Sequence, residues 1–229
     1  MNNFLIIFLV IAGTIIAYII AKWIYQRIYT PLLLPVAVAT LIIVIFLIVF
    51  DIPYETYMIG GEWINQFLGP AVVALAIPLY QHRATLVKLA YPLIVGSFVG
   101  AIVGIVTGVY MTKWVGFDEE IIYSITPKSV TTPVAMDISD SLGGISSLAA
   151  LFVMIAGISG AMLCMYIYDI FRLKHPVSRG VGLGAASHAI GTAKALENSE
   201  LEGSISTIAM ILSAVFVSMI TPIMLKIIL

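Results

Sequence analysis

Five long apolar runs constrain this chain more than any other feature of its sequence. They cover residues 4–21, 32–50, 86–111, 147–168 and 204–225. A helix needs about 20 predominantly apolar residues to cross the hydrocarbon core of a bilayer. The chain is 61% hydrophobic and only 10% charged, whereas a soluble domain carries about 25% charged residues. The sequence therefore predicts an all-α polytopic membrane protein that spans the lipid bilayer.

The remaining composition excludes several classes of protein. A formal net charge of −1 gives no basic footprint for a nucleic acid. The single cysteine, Cys164, cannot form an intramolecular disulfide, and His82, His175 and His188 lack metal-ligand spacing. No catalytic motif with a known mechanism occurs. We therefore predict a protein that is not an enzyme and that uses no metal or cofactor.

Three further segments, residues 64–80, 119–140 and 176–200, do not read as ordinary spans. The first is short and contains Gly69, Pro70 and Pro78, the second contains Pro127 and Pro133, and the third is rich in glycine. Proline removes a helix hydrogen bond and glycine loosens the backbone, so we expect the last two to be broken helices. Broken backbone at membrane depth is tolerated where it is buried in protein or lines a wet cavity.

An internal repeat relates the two broken segments. Shifting the chain by 60 residues aligns residues 132–149 with residues 192–209. Seven aligned pairs are identical: Thr132/Thr192, Ala135/Ala195, Ser139/Ser199, Gly143/Gly203, Ile145/Ile205, Ser146/Ser206 and Ala149/Ala209. The same alignment places Lys128 opposite His188. Each copy therefore consists of one broken segment followed by one apolar helix.

Charge bias favours opposite orientations for the two copies. Lys and Arg favour cytoplasmic loops. If both broken segments are re-entrant hairpins, most basic residues fall inside: Lys22, Arg27, Arg83, Lys88, Arg172, Lys174 and Arg179. The hairpin tips would then meet near the midplane, as in carriers built from inverted repeats. Broken helices that cross fully are the alternative. We predict an amino-terminal scaffold of about four transmembrane helices over residues 1–115. A transport core over 116–229 would contain inverted copies at about 119–169 and 176–229.

The tips hold the candidate binding residues. Lys128 is an ammonium in an apolar and hydroxylated stretch, and such a charge within a membrane is a functional candidate by default. A carboxylate ligand would supply its counter-charge, and a half-helix start beside it would attract anions. The alternative is that Lys128 snorkels to the surface. The predicted substrate-binding residues are Lys128, Ser129, Thr131, Thr132, Ser187, His188, Gly191 and Thr192.

His188 is also the candidate for proton coupling, because histidine titrates near neutral pH. The alternative is a histidine that only packs in a helix interface. We expect Lys194 to neutralise the acidic residues that follow it, Glu197, Glu200 and Glu202. The hinge acids Asp137, Asp140, Glu197 and Glu200 could bind sodium, although solvated acids are the simpler interpretation.

At these residues the chain resembles the LrgB/CidB family. The matching stretches are Gly60–Asn65, Pro70–Tyr80, Pro127–Pro133 and Ala186–Ala195. The resemblance implies a multi-pass protein of the bacterial cell (cytoplasmic) membrane. It also implies one of two roles. Some members resemble transporters of glycolate, glycerate or pyruvate, and others are named as antiholin-like regulators of murein hydrolases that act with a small LrgA or CidA partner.

The residue pattern favours the first role, a carrier for a small organic anion. The resemblance implies that this anion is a small monocarboxylate such as pyruvate, glycolate or lactate. A pore does not require an inverted repeat with polar tips. The antiholin-like regulator of murein hydrolase activity and lysis stays as the alternative. We expect a homodimer, because a carrier with moving hairpins needs a static scaffold.

Overall fold

The computed structural model describes residues 3–28, 30, 33–67, 70, 73–74 and 76–229. Within these ranges the chain is helical and has no strand. Part of the predicted short segment 64–80, including Gly69, lies outside the described residues. Four described helices are long and apolar enough to cross a membrane: Asn3–Arg27, Ala90–Val115, Ser146–Ile170 and Glu200–Ile228. The prediction of an all-α polytopic membrane protein is confirmed.

Two compact units divide the chain, and the first comprises Met1–Ile77. Its described helices are α1 (Asn3–Arg27), α2 (Pro35–Val49) and α3 (Tyr54–Asn65). Both α2 and α3 pack against α1, and Thr14 and Tyr57 share a hydrogen bond of 3.1 Å between their hydroxyl oxygens. The run at 32–50 was predicted to be a clean span, but α2 has 15 residues. Such a helix is about 22 Å long, which is shorter than the hydrocarbon core.

The second compact unit comprises Pro78–Leu229. Two short helices, α4 (Ala76–Gln81) and α5 (Arg83–Lys88), precede α6 (Ala90–Val115). The following helices are α7 (Glu119–Ile125), α8 (Thr132–Leu142), α9 (Ser146–Ile170), α10 (Pro176–Asn198) and α11 (Glu200–Ile228). The division at residue 77 differs from the predicted scaffold boundary at residue 115, and the predicted scaffold and transport core stay predictions.

Three span-length helices form the framework of this unit. Helices α6 and α11 run in the same direction: Leu93 and Ile205 share an apolar cluster near their starts, and Lys113 Nζ donates to the carbonyl oxygen of Ile228 at their ends. Helix α9 runs the opposite way. Its first turn lies at the end where α6 finishes, because the hairpin that follows α6 contacts the turn before α9.

The first broken segment, Glu119–Leu142, is a helical hairpin made of α7 and α8. Both of its helices contact the turn before α9. Ser124 Oγ accepts a hydrogen bond of 2.8 Å from the Ile145 amide, and a Cβ atom at Gly144 would lie 2.6 Å from Ser139 Oγ. The chain therefore enters and leaves on the same side, and residues 126–131 form the tip.

The second broken segment, α10, is also a hairpin. Its backbone departs from helical geometry at His188, where φ is 41° and ψ is −132°. The two arms then run side by side, because a Cβ atom at Gly191 would lie 2.7 Å from the carbonyl oxygen of Leu183. Thr192 in the second arm contacts Ser206, and Gly184 in the first arm contacts the same residue. Hairpins were the preferred prediction over crossing helices, and these contacts agree with it.

The two hairpins open at opposite ends of the framework. The first opens where α6 ends, and the second opens where α6 and α11 begin. Tyr168, near the end of α9, donates a hydrogen bond to the carbonyl oxygen of Arg179 in the second hairpin. An arm such as residues 176–187 rises about 18 Å, or roughly half a bilayer core. The inverted repeat itself stays a prediction, which these opposed hairpins support.

Candidate functional site

The tip of the first hairpin rests against the middle of α6. Lys128 Nζ donates a hydrogen bond of 2.8 Å to the carbonyl oxygen of Gly104. A Cβ atom at Gly108 would lie 2.7 Å from the same nitrogen, and one at Gly104 would lie 3.0 Å from Ser129 Oγ. The absence of side chains at these two glycines lets the polar tip reach the α6 backbone. Lys128 is half-buried and Ser129 is buried.

Helix α8 begins directly after this tip. Thr131 occupies the N-cap position with extended backbone geometry, and its side chain makes no capping hydrogen bond. Thr132 and Pro133 open the helix, since proline suits the first turn, where its missing N–H is not needed. Both threonines are half-buried. The positive end of the α8 dipole therefore points at the region of the tip.

The tip of the second hairpin rests against the middle of α9. His188 is 3% exposed, and its Nε2 lies 3.0 Å from the carbonyl oxygen of Val153. Since a carbonyl can only accept, Nε2 carries the proton in this contact. A Cβ atom at Gly157 would lie 2.6 Å from the imidazole ring. The ring is thus held by one hydrogen bond and by close packing on a glycine.

Helix α6 carries contacts from both hairpins on one row of glycines. The first arm of the second hairpin packs on the earlier pair: Val181 lies against Gly96 and Ala185 lies against Gly100. The first hairpin packs on the later pair, Gly104 and Gly108. Four residues along a helix correspond to about 6 Å. The two hairpins therefore approach each other to within about one turn of α6, near the middle of that helix.

Helix α9 shows the same meeting point independently. The side chain of Val153 belongs to the buried cluster that includes Val130 of the first tip. Its carbonyl oxygen contacts His188 of the second tip. One residue in the first half of α9 thus contributes to the surroundings of both tips. Contacts with two separate helices place Lys128 and His188 in the same middle layer of the unit.

The other predicted residues of the second tip are buried within the hairpin. Ser187 is 1% exposed, and its hydroxyl has no hydrogen-bond partner among the described residues. Gly191 allows the second arm to pass close to Leu183. Thr192 Oγ1 lies 2.9 Å from Ser206 Oγ. Gly191 therefore lets the two arms pack closely and Thr192 joins the second arm to α11, whereas the Ser187 hydroxyl has no partner among the described residues.

Charged partners are scarce around the tips. The ion pairs found among the described residues are Arg179–Glu202, Lys194–Glu197 and a 4.0 Å contact between His82 and Glu200, so none of them involves Lys128. Asp137 and Asp140 are exposed on α8. The described part of the chain holds no group of three or more His, Cys, Asp or Glu side chains that could bind a metal ion.

Two features of this site were not predicted from the sequence. The α6 glycine row was not among the predicted site residues, but it carries the backbone contacts of Lys128 and Ser129. Lys194 does pair with Glu197 at 2.8 Å, whereas Glu202 pairs with Arg179 of the first arm instead. Residue spacing could reveal the first pair but not the second, because only the hairpin fold brings Arg179 to Glu202.

The fold and the tips define a polytopic membrane protein with two opposed helical hairpins. The chain belongs to the LrgB-like family, whose model matches residues 14–227. It is 47% identical over 171 residues to the protein YxaC of Bacillus subtilis (strain 168). The aligned residues cover 75% of this chain and 74% of that protein. It is 37% identical over 176 residues to YwbG of the same organism, covering 77% and 78% respectively. No solved structure matches the chain.

Proposed function

We propose that this protein is a membrane carrier, or a carrier subunit, for small monocarboxylates such as pyruvate, glycolate or lactate. The observation that carries the proposal is the position of Lys128. Its ammonium lies half-buried at the middle of α6, bonded to a carbonyl oxygen and absent from the ion pairs of the described residues. An ammonium has three N–H donors. A carboxylate would accept from the others and supply the counter-charge.

The geometry of the tips supports an anion rather than a cation. Helix α8 begins at the first tip, and the second arm of α10 begins at the second tip after the break at His188. Both helices therefore direct their positive ends to the middle layer. Carriers with discontinuous helices use such ends to bind anionic groups. Ser129, Thr131, Thr132 and Ser187 would add hydroxyl groups, and these are the groups that a 2-oxo or 2-hydroxy acid can hydrogen-bond.

In this proposal the imidazole of His188 binds the coupled proton. With Nε2–H on the Val153 carbonyl, a proton gained by the neutral ring must go to Nδ1. A protonated His188 would add a second positive charge beside the bound carboxylate. Transport would then take one proton with each anion, and an imposed proton gradient would drive uptake.

The test is uptake in proteoliposomes that contain the purified full chain. The panel comprises labelled pyruvate, glycolate and lactate, with glycerol as a neutral solute of similar size and with imposed proton or sodium gradients. We expect saturable uptake of at least one acid and mutual competition among the acids. Absence of uptake by folded protein, with and without a partner, would overturn the proposal. Leakage of size-graded dyes without saturation would favour the antiholin-like role instead.

We propose two partners together with this function. One is a small LrgA/CidA-type membrane protein, and the other is a second copy of this chain that would supply a fixed scaffold for moving hairpins. Transport rates measured after reconstitution with and without the small protein test the first partner. Light scattering of the chain in lipid nanodiscs tests the second partner, because it shows whether the chain forms a dimer. In this proposal the carrier works in the bacterial cell membrane, where its flux of acids influences autolysis.

A further inference from the structure

The open base of the second hairpin is held by a single buried carboxylate. Glu202 lies in the first turn of α11 and is 5% exposed. Its Oε1 lies 3.6 Å from a guanidinium nitrogen of Arg179 in the first arm. Its Oε2 accepts a hydrogen bond of 3.1 Å from Asn198 Nδ2 at the end of the second arm. One side chain therefore ties both arms to the framework.

Arg179 is itself fixed to the end of α9. Its Nε donates a hydrogen bond of 2.7 Å to the carbonyl oxygen of Leu173, and its guanidinium lies 5.0 Å from the centre of the Tyr168 ring. Tyr168 in turn donates to the Arg179 carbonyl. The contacts of Arg179 and Glu202 thus join α9, both arms of α10 and α11. Because both side chains are largely withdrawn from solvent, separating them would leave a charge without its partner.

The first hairpin has no such ionic tie. It contacts the turn before α9 through Ser124 and the Ile145 amide, and the hydroxyl of Ser139 has no partner among the described residues. The ion pairs of the described residues do not include any residue of 119–142. The two hairpins are therefore held by different chemistry: hydroxyl and backbone contacts at one end of the unit, and a charged clamp at the other.

We propose that the Arg179–Glu202–Asn198 clamp is the latch that holds the second hairpin shut. Glu202 binds both arms to α11 and fixes Arg179, whose contacts with Tyr168 and Leu173 hold the hairpin against the end of α9. Opening of the latch would expose the path to the tips from the end of the unit that carries Arg83, Lys88, Arg172 and Lys174. The role of this opening in transport rests on the proposed function. The latch itself is a property of the hairpin and is measurable without any substrate.

Cys164 is a natural reporter of hairpin position. It is the only cysteine of the chain, is 3% exposed, and packs in one cluster with Leu183 of the first arm and Ala195 of the second. When the hairpin leaves α9, this thiol becomes accessible. The experiment measures the rate at which N-ethylmaleimide labels Cys164 in the purified full chain, with a Cys164→Ala variant as the blank.

Glu202→Gln removes one charge of the latch with little change of shape, whereas Arg179→Gln removes the other charge together with the contacts to Leu173 and Tyr168. We expect either variant to raise the labelling rate about tenfold or more, because the other charge loses its partner. The double variant should label no faster than the faster single variant, since both changes break one interaction. Glu200→Gln is the matched control, because that side chain is 76% exposed in the same helical turn, and its rate should stay within about twofold of the original.

A second reporter separates local opening from unfolding. Ser139→Cys, made in the Cys164→Ala background, places a thiol at a fully buried site of the first hairpin. Glu202→Gln should leave its labelling rate unchanged. The latch is refuted if Glu202→Gln and Arg179→Gln label Cys164 at the original rate, or if the Ser139→Cys reporter speeds up equally. Faster Cys164 labelling in a protein that transports no acid would support the latch and count against the proposed function.

Discussion

The ammonium of Lys128 lies 2.8 Å from the carbonyl oxygen of Gly104, within the middle of α6. A side chain at Gly104 or Gly108 would occupy the space that this contact needs. The lysine thus reaches the backbone of a neighbouring helix instead of extending to the membrane surface, which was the snorkelling alternative. Its remaining donors are the basis of the proposed carboxylate site.

Lys128→Gln should weaken saturable monocarboxylate uptake. A charge-assisted hydrogen bond contributes about 1.5–3 kcal/mol, so we expect a loss of affinity of about tenfold or more. The folded state should persist, because the change leaves no unpaired charge in the middle layer. Lys113→Gln is the matched control, since Lys113 is exposed and also donates to a backbone carbonyl. Equal uptake by the Lys128→Gln and Lys113→Gln proteins would show that Lys128 does not bind the substrate.

Gly157→Ala should destabilise the second hairpin on α9. The new Cβ atom would lie 2.6 Å from two atoms of the His188 ring, and overpacking of this kind costs about 1–3 kcal/mol. Gly182→Ala is the control, because no atom lies within 4 Å of its Cβ position. Alanine there should leave the stability unchanged or raise it by up to about 1 kcal/mol. Thermal unfolding in detergent, followed by thiol labelling of Cys164, measures both variants. Equal midpoints for the two would contradict the close packing.

The breaks in both hairpins were predictable from local sequence. Pro127 and Pro133 lie at the first tip, and proline disfavours a helix interior because it removes a hydrogen bond. The second break falls at His188, the residue that the 60-residue shift places opposite Lys128. The reversal of the chain at each break followed from the charge distribution, since Arg172, Lys174 and Arg179 would otherwise lie on the wrong side of the membrane.

The contacts that hold the tips were not predictable in the same way. Lys194 and Glu197 are neighbours on one helix, so their pairing follows from spacing alone. Glu202 meets Arg179 only because the hairpin brings the start of its first arm back beside the start of α11. The contact of His188 with Val153 likewise depends on how deeply the tip reaches along α9. Sequence periodicity carries no information about such a depth.

Thr192→Val tests the hydrogen bond that joins the second arm to α11. Thr192 Oγ1 and Ser206 Oγ lie 2.9 Å apart, and both residues are buried. Valine keeps the shape of threonine but leaves the serine hydroxyl without this partner, which costs about 1–3 kcal/mol. Adding Ser206→Ala should recover part of that loss, because no unpaired hydroxyl remains. Melting temperatures of the two single variants and the double variant give the coupling, and strict additivity would exclude a direct bond.

His188→Gly and His188→Ala separate the two roles of His188, its backbone turn and its ring. The positive φ of 41° at this residue is tolerated by glycine but costs other residues roughly 1–2 kcal/mol. Both variants lose the hydrogen bond to Val153. We therefore expect His188→Gly to melt at a higher temperature than His188→Ala, while both fail to accumulate acid in response to a proton gradient. If His188→Gly transported acids with the original proton dependence, the ring would have no part in proton coupling, and the proton would have to bind elsewhere.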